Sequence, residues 1–248
     1  MSKAQIITIA EIKGGTGKTT TAAALAQAAV LDNKKVLVID LDPQANITAL
    51  LDADPTEAGA YHLLHGHPAR ELIQETQFDI DIIPGAPDLA DEVTEKGSAY
   101  RLKDALEVVT SLYDVIIIDT PPAFSEMTYN ALHASTGLLI ALDADTNALQ
   151  GLYLITDLAR ATKAQNKRLK LLGCIVTKYN PRPILERQMR DIIEEKAKAC
   201  KCPYLCEIRA GIALKEAQAY RKNLFTYAPK SKPAQDYQEL YNILFTNK

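Results

Sequence analysis

No apolar run in this chain approaches the ~20 residues that a membrane-spanning helix needs; the longest, such as Val115 to Ile118 and Leu138 to Leu142, end after one short strand's length. The start, Met1-Ser2-Lys3-Ala4-Gln5, leads straight into a strand-like segment and shows no signal-peptide core, so a cytoplasmic protein is expected. No internal repeat, low-complexity tract or Pro/Gly linker divides the 248 residues. One domain over 1–248 is therefore expected, large enough for a central sheet covered on both faces. Cysteine is scarce: Cys174, Cys200, Cys202 and Cys206 are the only four. Three of them fall within Cys200–Cys206 and offer thiols for a zinc or redox site, but a closed zinc site needs a fourth ligand and none is near. Reduced cysteines around a buried strand are the expectation. His62, His65 and His67 likewise lack a completing ligand and read as a surface helix end. Strong net charge is absent too, at −3, but the balance is uneven along the chain. Residues 1–159 carry 9 Lys+Arg against 23 Asp+Glu, whereas residues 160–248 carry 19 against 8. A basic C-terminal third on an acidic protein suggests a face for polyanions.

The most informative stretch is Ala10 to Thr21, A-E-I-K-G-G-T-G-K-T-T-T. It follows the apolar run Ile6-Ile7-Thr8-Ile9 and precedes an alanine-rich segment, Ala22 to Val30. A strand, a glycine-rich turn and a helix start bring backbone N–H groups and a positive helix end onto one anion. In such a cradle Lys18 reaches the β and γ phosphates of a nucleotide, the Thr19 hydroxyl ligates Mg2+, and Gly14, Gly15 and Gly17 allow close backbone approach. Lys35 to Ile39 reads as a strand buried on both faces, ending in Asp40-Leu41-Asp42-Pro43-Gln44-Ala45-Asn46. Two carboxylates two residues apart at a strand's C-terminal edge face the side where doubly wound sheets bind ligands. Tyr113 to Ile118 is a second such strand, and it ends in Asp119-Thr120-Pro121-Pro122, with Asp119 as a carboxylate for Mg2+, directly or through water. Further strands are expected at Ile80 to Pro84, Leu138 to Leu142 and Leu171 to Thr177, and helices at Asp88 to Glu95 and Tyr100 to Leu112. The alternation predicts an α/β fold, a doubly wound, mostly parallel sheet with helices on both faces.

The stretch Lys13 to Thr20, K-G-G-T-G-K-T-T, follows Ile12, which stands where the standard phosphate loop has its first glycine, and it places a second lysine, Lys13, at the mouth. It resembles the deviant Walker A motif of the ParA/MinD family of P-loop ATPases, in its ParA/Soj-type partition branch. The resemblance extends through D-x-D-P-Q-x-N, D-T-P-P, Asn130-Ala131-Leu132, Ala148 to Leu152, Ile212 to Ala217 and Tyr227 to Lys232, from Ile6 to about Leu244. It implies ATP and Mg2+ as cofactors, with Lys13, Gly14, Gly15, Thr16, Gly17, Lys18, Thr19 and Thr20 on the nucleotide. It also implies that Lys13 reaches across a nucleotide-sandwich homodimer with Gly14 at the interface. By the same resemblance Asp42 orients the attacking water, Asp40 supports the Mg2+ shell, and Thr177 and Lys178 lie where adenine is recognised. Ala213 stands where many relatives carry a DNA-holding arginine. Arg187, Arg190, Arg221, Lys222, Lys230 and Lys232 are the remaining candidates for nonspecific phosphate contacts.

The function implied is a slow ATPase of DNA partition, nucleoid-associated, whose hydrolysis a ParB-type centromere-binding partner stimulates. The chain resembles the short, Soj-like form of the family, without the helix-turn-helix extension of larger plasmid proteins. A MinD-like membrane switch needs a C-terminal amphipathic helix with a basic face. Here Ala234 to Phe245 carries Asp236 and Glu239, its Leu240, Ile243 and Leu244 look core-facing, and only Lys248 is basic, so no membrane partner is expected. The iron–sulfur branch of the fold needs cysteines between Asp119 and Leu142, and there are none.

Overall fold

The computed structural model describes residues 4–56, 58–91 and 97–246. Its centre is an eight-stranded sheet in the order β3-β4-β2-β5-β1-β6-β7-β8, parallel throughout except for the β3–β4 pair. The strands are β1 (Gln5–Ala10), β2 (Val36–Asp40), β3 (Gln74–Glu75), β4 (Asp81–Ile83), β5 (Val115–Asp119), β6 (Gly137–Asp143), β7 (Lys170–Tyr179) and β8 (Tyr204–Arg209). The inner strands β1, β2 and β5 are apolar almost without interruption, as burial on both faces demands. Their alternate residues feed two sides: Ile7, Val38 and Ile117 point to one core, Ile6, Leu37 and Ile116 to the other.

The first side is covered by α1 (Lys18–Leu31) and α2 (Asn46–Leu50), and by the C-terminal helices α8 (Ile212–Ala219), α9 (Leu224–Tyr227) and α10 (Lys232–Phe245). α1 is buried almost all round because its body is alanine, which lets it lie between the sheet and α10. The other side carries α3 (Ala60–Leu64), α4 (Arg101–Leu106), α5 (Glu126–Ala134), α6 (Ala148–Lys163) and α7 (Ile184–Ala199). Every strand named in the sequence reading is present, and the two-residue β3 is added at the edge. The helix expected over Tyr100 to Leu112 is only α4; Glu107 to Leu112 form turns, where Val108, Val109 and Thr110 bring β-branched side chains that resist a helical continuation. For the helix expected over Asp88 to Glu95, the described part is one 3₁₀ segment, Pro87–Asp91, and Glu92 to Glu95 lie outside the described residues.

The apolar face of α10 is spent on the core. Tyr237, Leu240 and Tyr241 are buried against α1 and the sheet, and Leu244 packs beside them, while Ile243 is only half-buried. Asp236 of α10 also closes the β8 edge, accepting the Arg209 N–H at 2.8 Å and pairing with its guanidinium. Among the described residues no helix is long and apolar enough to cross a membrane.

Candidate nucleotide site

Parallel, in-register pairing sets the site. β5 lies between β1 and β2, with Asp119 level with Ile9 on one side and Asp40 on the other. The loop after β1, the Asp42 turn after β2 and the Asp119 end of β5 therefore meet at one sheet edge. Gly15 and Gly17 adopt left-handed φ of 76° and 84°, which L side chains rarely take, and Gly17 starts α1. A Cβ on Gly17 would also meet the Thr177 hydroxyl at 3.1 Å.

Lys18 is buried and folds back so that its ammonium reaches the Lys13 carbonyl at 3.4 Å. Burial lowers its pKa, and the carboxylates of Asp119, Glu11 and Asp42 oppose that shift. Asp119 is fully buried and faces the Thr19 hydroxyl, yet neither of its oxygens has a hydrogen bond of good geometry within the chain. Burial first, and the neighbouring Asp40 second, push its pKa well up. The Thr16 hydroxyl is buried without a partner as well. Buried polar atoms left unpaired beside a lysine and a helix N-terminus fit a ligand that supplies both phosphate oxygens and a cation. Lys18, Thr19 and Asp119 are the residues that would hold Mg-nucleotide.

Asp40 is differently employed. Its Oδ1 accepts the Asp42 N–H at 3.0 Å, and its Oδ2 accepts the Thr48 N–H and hydroxyl at 3.2 and 2.7 Å. Thr48 in turn accepts the Gly85 N–H at 2.9 Å, and a Cβ on Gly85 would stand 2.8 Å from the Asp40 carboxyl carbon. Asp40 thus holds the turn that carries Asp42, and burial pushes its pKa up to about 6. Asp42 itself accepts the Gln44 N–H at 3.0 Å through one oxygen.

Lys13, expected to reach a partner, is paired within its own chain, with Asp143 at 3.5 Å and with Asp145. The hydrogen bond to Asp145 raises its pKa. Those two acids sit at the end of β6, an Asp-x-Asp beside β1 that repeats the signal of Asp40 and Asp42 and was missed. Glu11 was missed too: it lies under the loop, with Oε1 accepting the Ile12 and Lys13 N–H groups at 2.9 and 3.3 Å. Its Oε2 has no partner, and Gly151 of α6 abuts it with no room for a Cβ.

Thr177 and Lys178 are brought to the back and the mouth of the loop. The Thr177 hydroxyl donates to the Thr16 carbonyl at 2.6 Å, so Thr177 braces the loop from behind. Lys178 has a left-handed φ of 54° and its ammonium donates to the Gly15 carbonyl. Thr20, next along α1, accepts from Gln218 of α8.

The basic candidates do not form one free patch. Arg190 is engaged by Asp191, Glu194 and Glu207 and lies over the Tyr204 ring. Arg187 donates to the Pro181 and Arg182 carbonyls, Arg221 pairs with Asp52, and Lys222 sits over Tyr227. Lys230 and Lys232 are exposed. The cysteines are regrouped: Cys206 faces the α1 side, whereas Cys200 and Cys202 face the opposite core together with Cys174. All four are free thiols, and among the described residues no cluster of three or more ligands is arranged for a metal ion.

Residues 4–171 match the AAA domain family. The chain is 36% identical over 245 residues to the chromosome-partitioning ATPase Soj of Thermus thermophilus, covering 96% of this chain and 94% of the relative. With the sporulation initiation inhibitor protein Soj of Bacillus subtilis it shares 34% identity, over 98% and 99% of the two chains. Among solved structures, a cobyrinic acid a,c-diamide synthase from Mycobacterium smegmatis with bound ATP analogue and magnesium matches with a TM-score of 0.83 at 28% identity, over 97% and 94% of the chains. A plasmid partition protein from Borrelia burgdorferi matches with a TM-score of 0.80 at 25% identity, over 100% of both chains.

Proposed function

The chain belongs to the Soj/ParA family of partition ATPases, and we propose that its ATPase cycle moves DNA through a homodimer that forms on Mg-ATP and binds nonspecific duplex. The observation that carries the nucleotide chemistry is the convergence of Lys18 with the unpaired Asp119 carboxylate and Thr16 hydroxyl at the start of α1. Lys18 offsets charge developing on the β and γ phosphates, and the loop N–H groups hold them in line for attack. Asp42, fixed by Asp40, accepts a proton-side hydrogen bond from the attacking water. Thr19 and Asp119 would hold the cation, which when bound would neutralise phosphate charge. Lys13 contributes to the partner's nucleotide after leaving Asp143 and Asp145, which links dimer closure to the breaking of two ion pairs.

Support for DNA comes from the basic balance of residues 160–248, in which Lys230 and Lys232 are exposed. Phosphate contacts of this kind hold duplex without reading its bases. A ParB-type partner then stimulates hydrolysis and release. The membrane-switch alternative is disfavoured by α10, whose apolar face is buried in the core.

The test is a mobility shift with nonspecific duplex at several salt concentrations, without nucleotide, with ADP and with ATP. Salt-sensitive binding is expected in ATP, lost in Lys18→Ala and kept in Asp42→Ala, while the latter drops hydrolysis by about 100-fold or more. Failure to shift DNA in any nucleotide state would refute the DNA reading, and vesicle co-sedimentation in ATP would replace it with the membrane one.

A further inference from the structure

The outer face of α1 meets α8, α9 and α10 along a seam of alanines packed on Leu224, Ala234, Tyr237 and Tyr241. Apolar contact is non-directional, so it sets spacing but not register. Register comes from four polar contacts along the same helix. Gln218 of α8 donates to the Thr20 hydroxyl at 3.1 Å, and the Thr21 and Tyr237 hydroxyls share a hydrogen bond at 3.1 Å. Farther along, Gln27 accepts the Leu224 N–H at 3.0 Å, and Tyr241 donates to Asp32 at 2.8 Å.

The Gln218 contact differs from the other three. Thr20 follows the cation ligand Thr19 directly, so of the four contacts it stands, with Thr21, in the turn that receives the phosphates. Thr21 is tied to α10, which is anchored by the buried side chains of Ala234, Tyr237, Leu240 and Tyr241. α8 is seated lightly, with Ala217 its one buried residue, and its Ile212 is 75% exposed. When phosphates draw in the N–H groups of α1's first turn, a small displacement of the Thr20 hydroxyl changes a bond whose strength falls steeply with angle. α10 is too well anchored to follow, whereas α8 is not.

We propose that Gln218 couples the nucleotide site to α8, so that occupancy of the phosphate loop is expressed as the seating of α8 and of the basic segment after it, Arg221 to Lys232. In its consequence for DNA this rests on the reading above; the coupling itself does not. Gln218 is a positioning residue, not a catalytic one, since it touches Thr20 and no reacting atom.

Hydrogen–deuterium exchange of the full chain tests it, with no nucleotide, with Mg-ADP and with a slowly hydrolysed ATP analogue plus Mg2+. In the wild type, amides of residues 213–222 are expected to exchange at least about threefold more slowly with the ATP analogue than without nucleotide. Gln218→Leu keeps the bulk and removes the donor; its α8 should exchange alike in all three conditions while nucleotide affinity stays within about twofold of wild type. Gln218→Glu loses the donor but can accept from the Thr20 hydroxyl once that hydroxyl turns to donate, and this reversed bond should restore the response. A purely structural role would speed exchange equally in every condition and leave the response intact. Absence of any nucleotide response in wild-type α8, or a full response in Gln218→Leu, overturns the proposal. The DNA reading is separated by a mobility shift on the same samples. Loss of the ATP-over-ADP preference in Gln218→Leu supports both, whereas a wild type that shows the α8 response but shifts no DNA removes the DNA reading alone.

Discussion

Glu11 sits beneath the phosphate loop as a carboxylate 2% exposed, and burial pushes its pKa from 4.5 up to about 7 against the opposing pull of Lys18 and Lys13. Between those two values the folded protein keeps a proton that the unfolded chain has released. Stability therefore falls as pH rises from about 4.5 to about 7 and levels off above it. Glu11→Gln removes this dependence, so the variant should gain on the wild type by up to about 3 kcal/mol at pH 8 and by little at pH 5. Urea unfolding at the two pH values checks it, and an equal gap at both would contradict it. Thr177 invites a second substitution. Thr177→Val leaves the Thr16 carbonyl without its 2.6 Å donor behind the loop, and a cost of about 1–3 kcal/mol is expected in thermal unfolding, with weaker nucleotide binding by calorimetry. At this scale Lys18, Thr19, Asp42 and Asp119 were legible in the sequence because local motifs place them. Glu11, Asp145 and Gln218 were not, since each acquires its role from a partner on a distant element: Gly151, Lys13 and Thr20.

Strands were easier to read than helices. β1, β2 and β5 are near-continuous apolar runs, and burial on both faces leaves little choice of state. β3 is two polar residues and has no periodicity to detect. α4 stopped short of its apolar pattern because Val109 is buried in a turn as readily as in a helix. The cysteine grouping also depended on the sheet: Cys206 lies within β8 and faces the α1 side, while Cys200 and Cys202 precede the strand and face the other core. Sequence spacing could not separate these sides. The α1–α10 seam gives a direct test of element docking. Tyr237→Phe removes only the hydroxyl shared with Thr21, and a loss of about 1 kcal/mol in urea unfolding is expected, with ATPase activity kept. A much larger loss would mean that the hydroxyl does more than join two helices.

Across the whole molecule the charge is divided, acidic through residue 159 and basic beyond it. The structure refines that division, because Arg187, Arg190 and Arg221 are already engaged by carbonyls and carboxylates while Lys230 and Lys232 are not among the ion pairs of the described residues. If duplex binds as proposed, Lys230→Ala and Lys232→Ala should each lower the slope of log affinity against log salt by about one, and Arg190→Ala should leave it nearly unchanged. Equal slopes for all three variants would place the phosphate contacts elsewhere.

The two borders of the sheet carry a consequence for assembly. One ends in β3, two residues long and antiparallel; at the other, the Arg209 N–H of β8 is already taken by Asp236. The β3 border is too short to take a neighbour's strand, and at the β8 border the last N–H is closed to one. A polymer that grew from the β3 border would thus be stacked from side-chain faces, and added salt should dissolve it back to its subunits, as would not happen to a fibre knitted through its backbone.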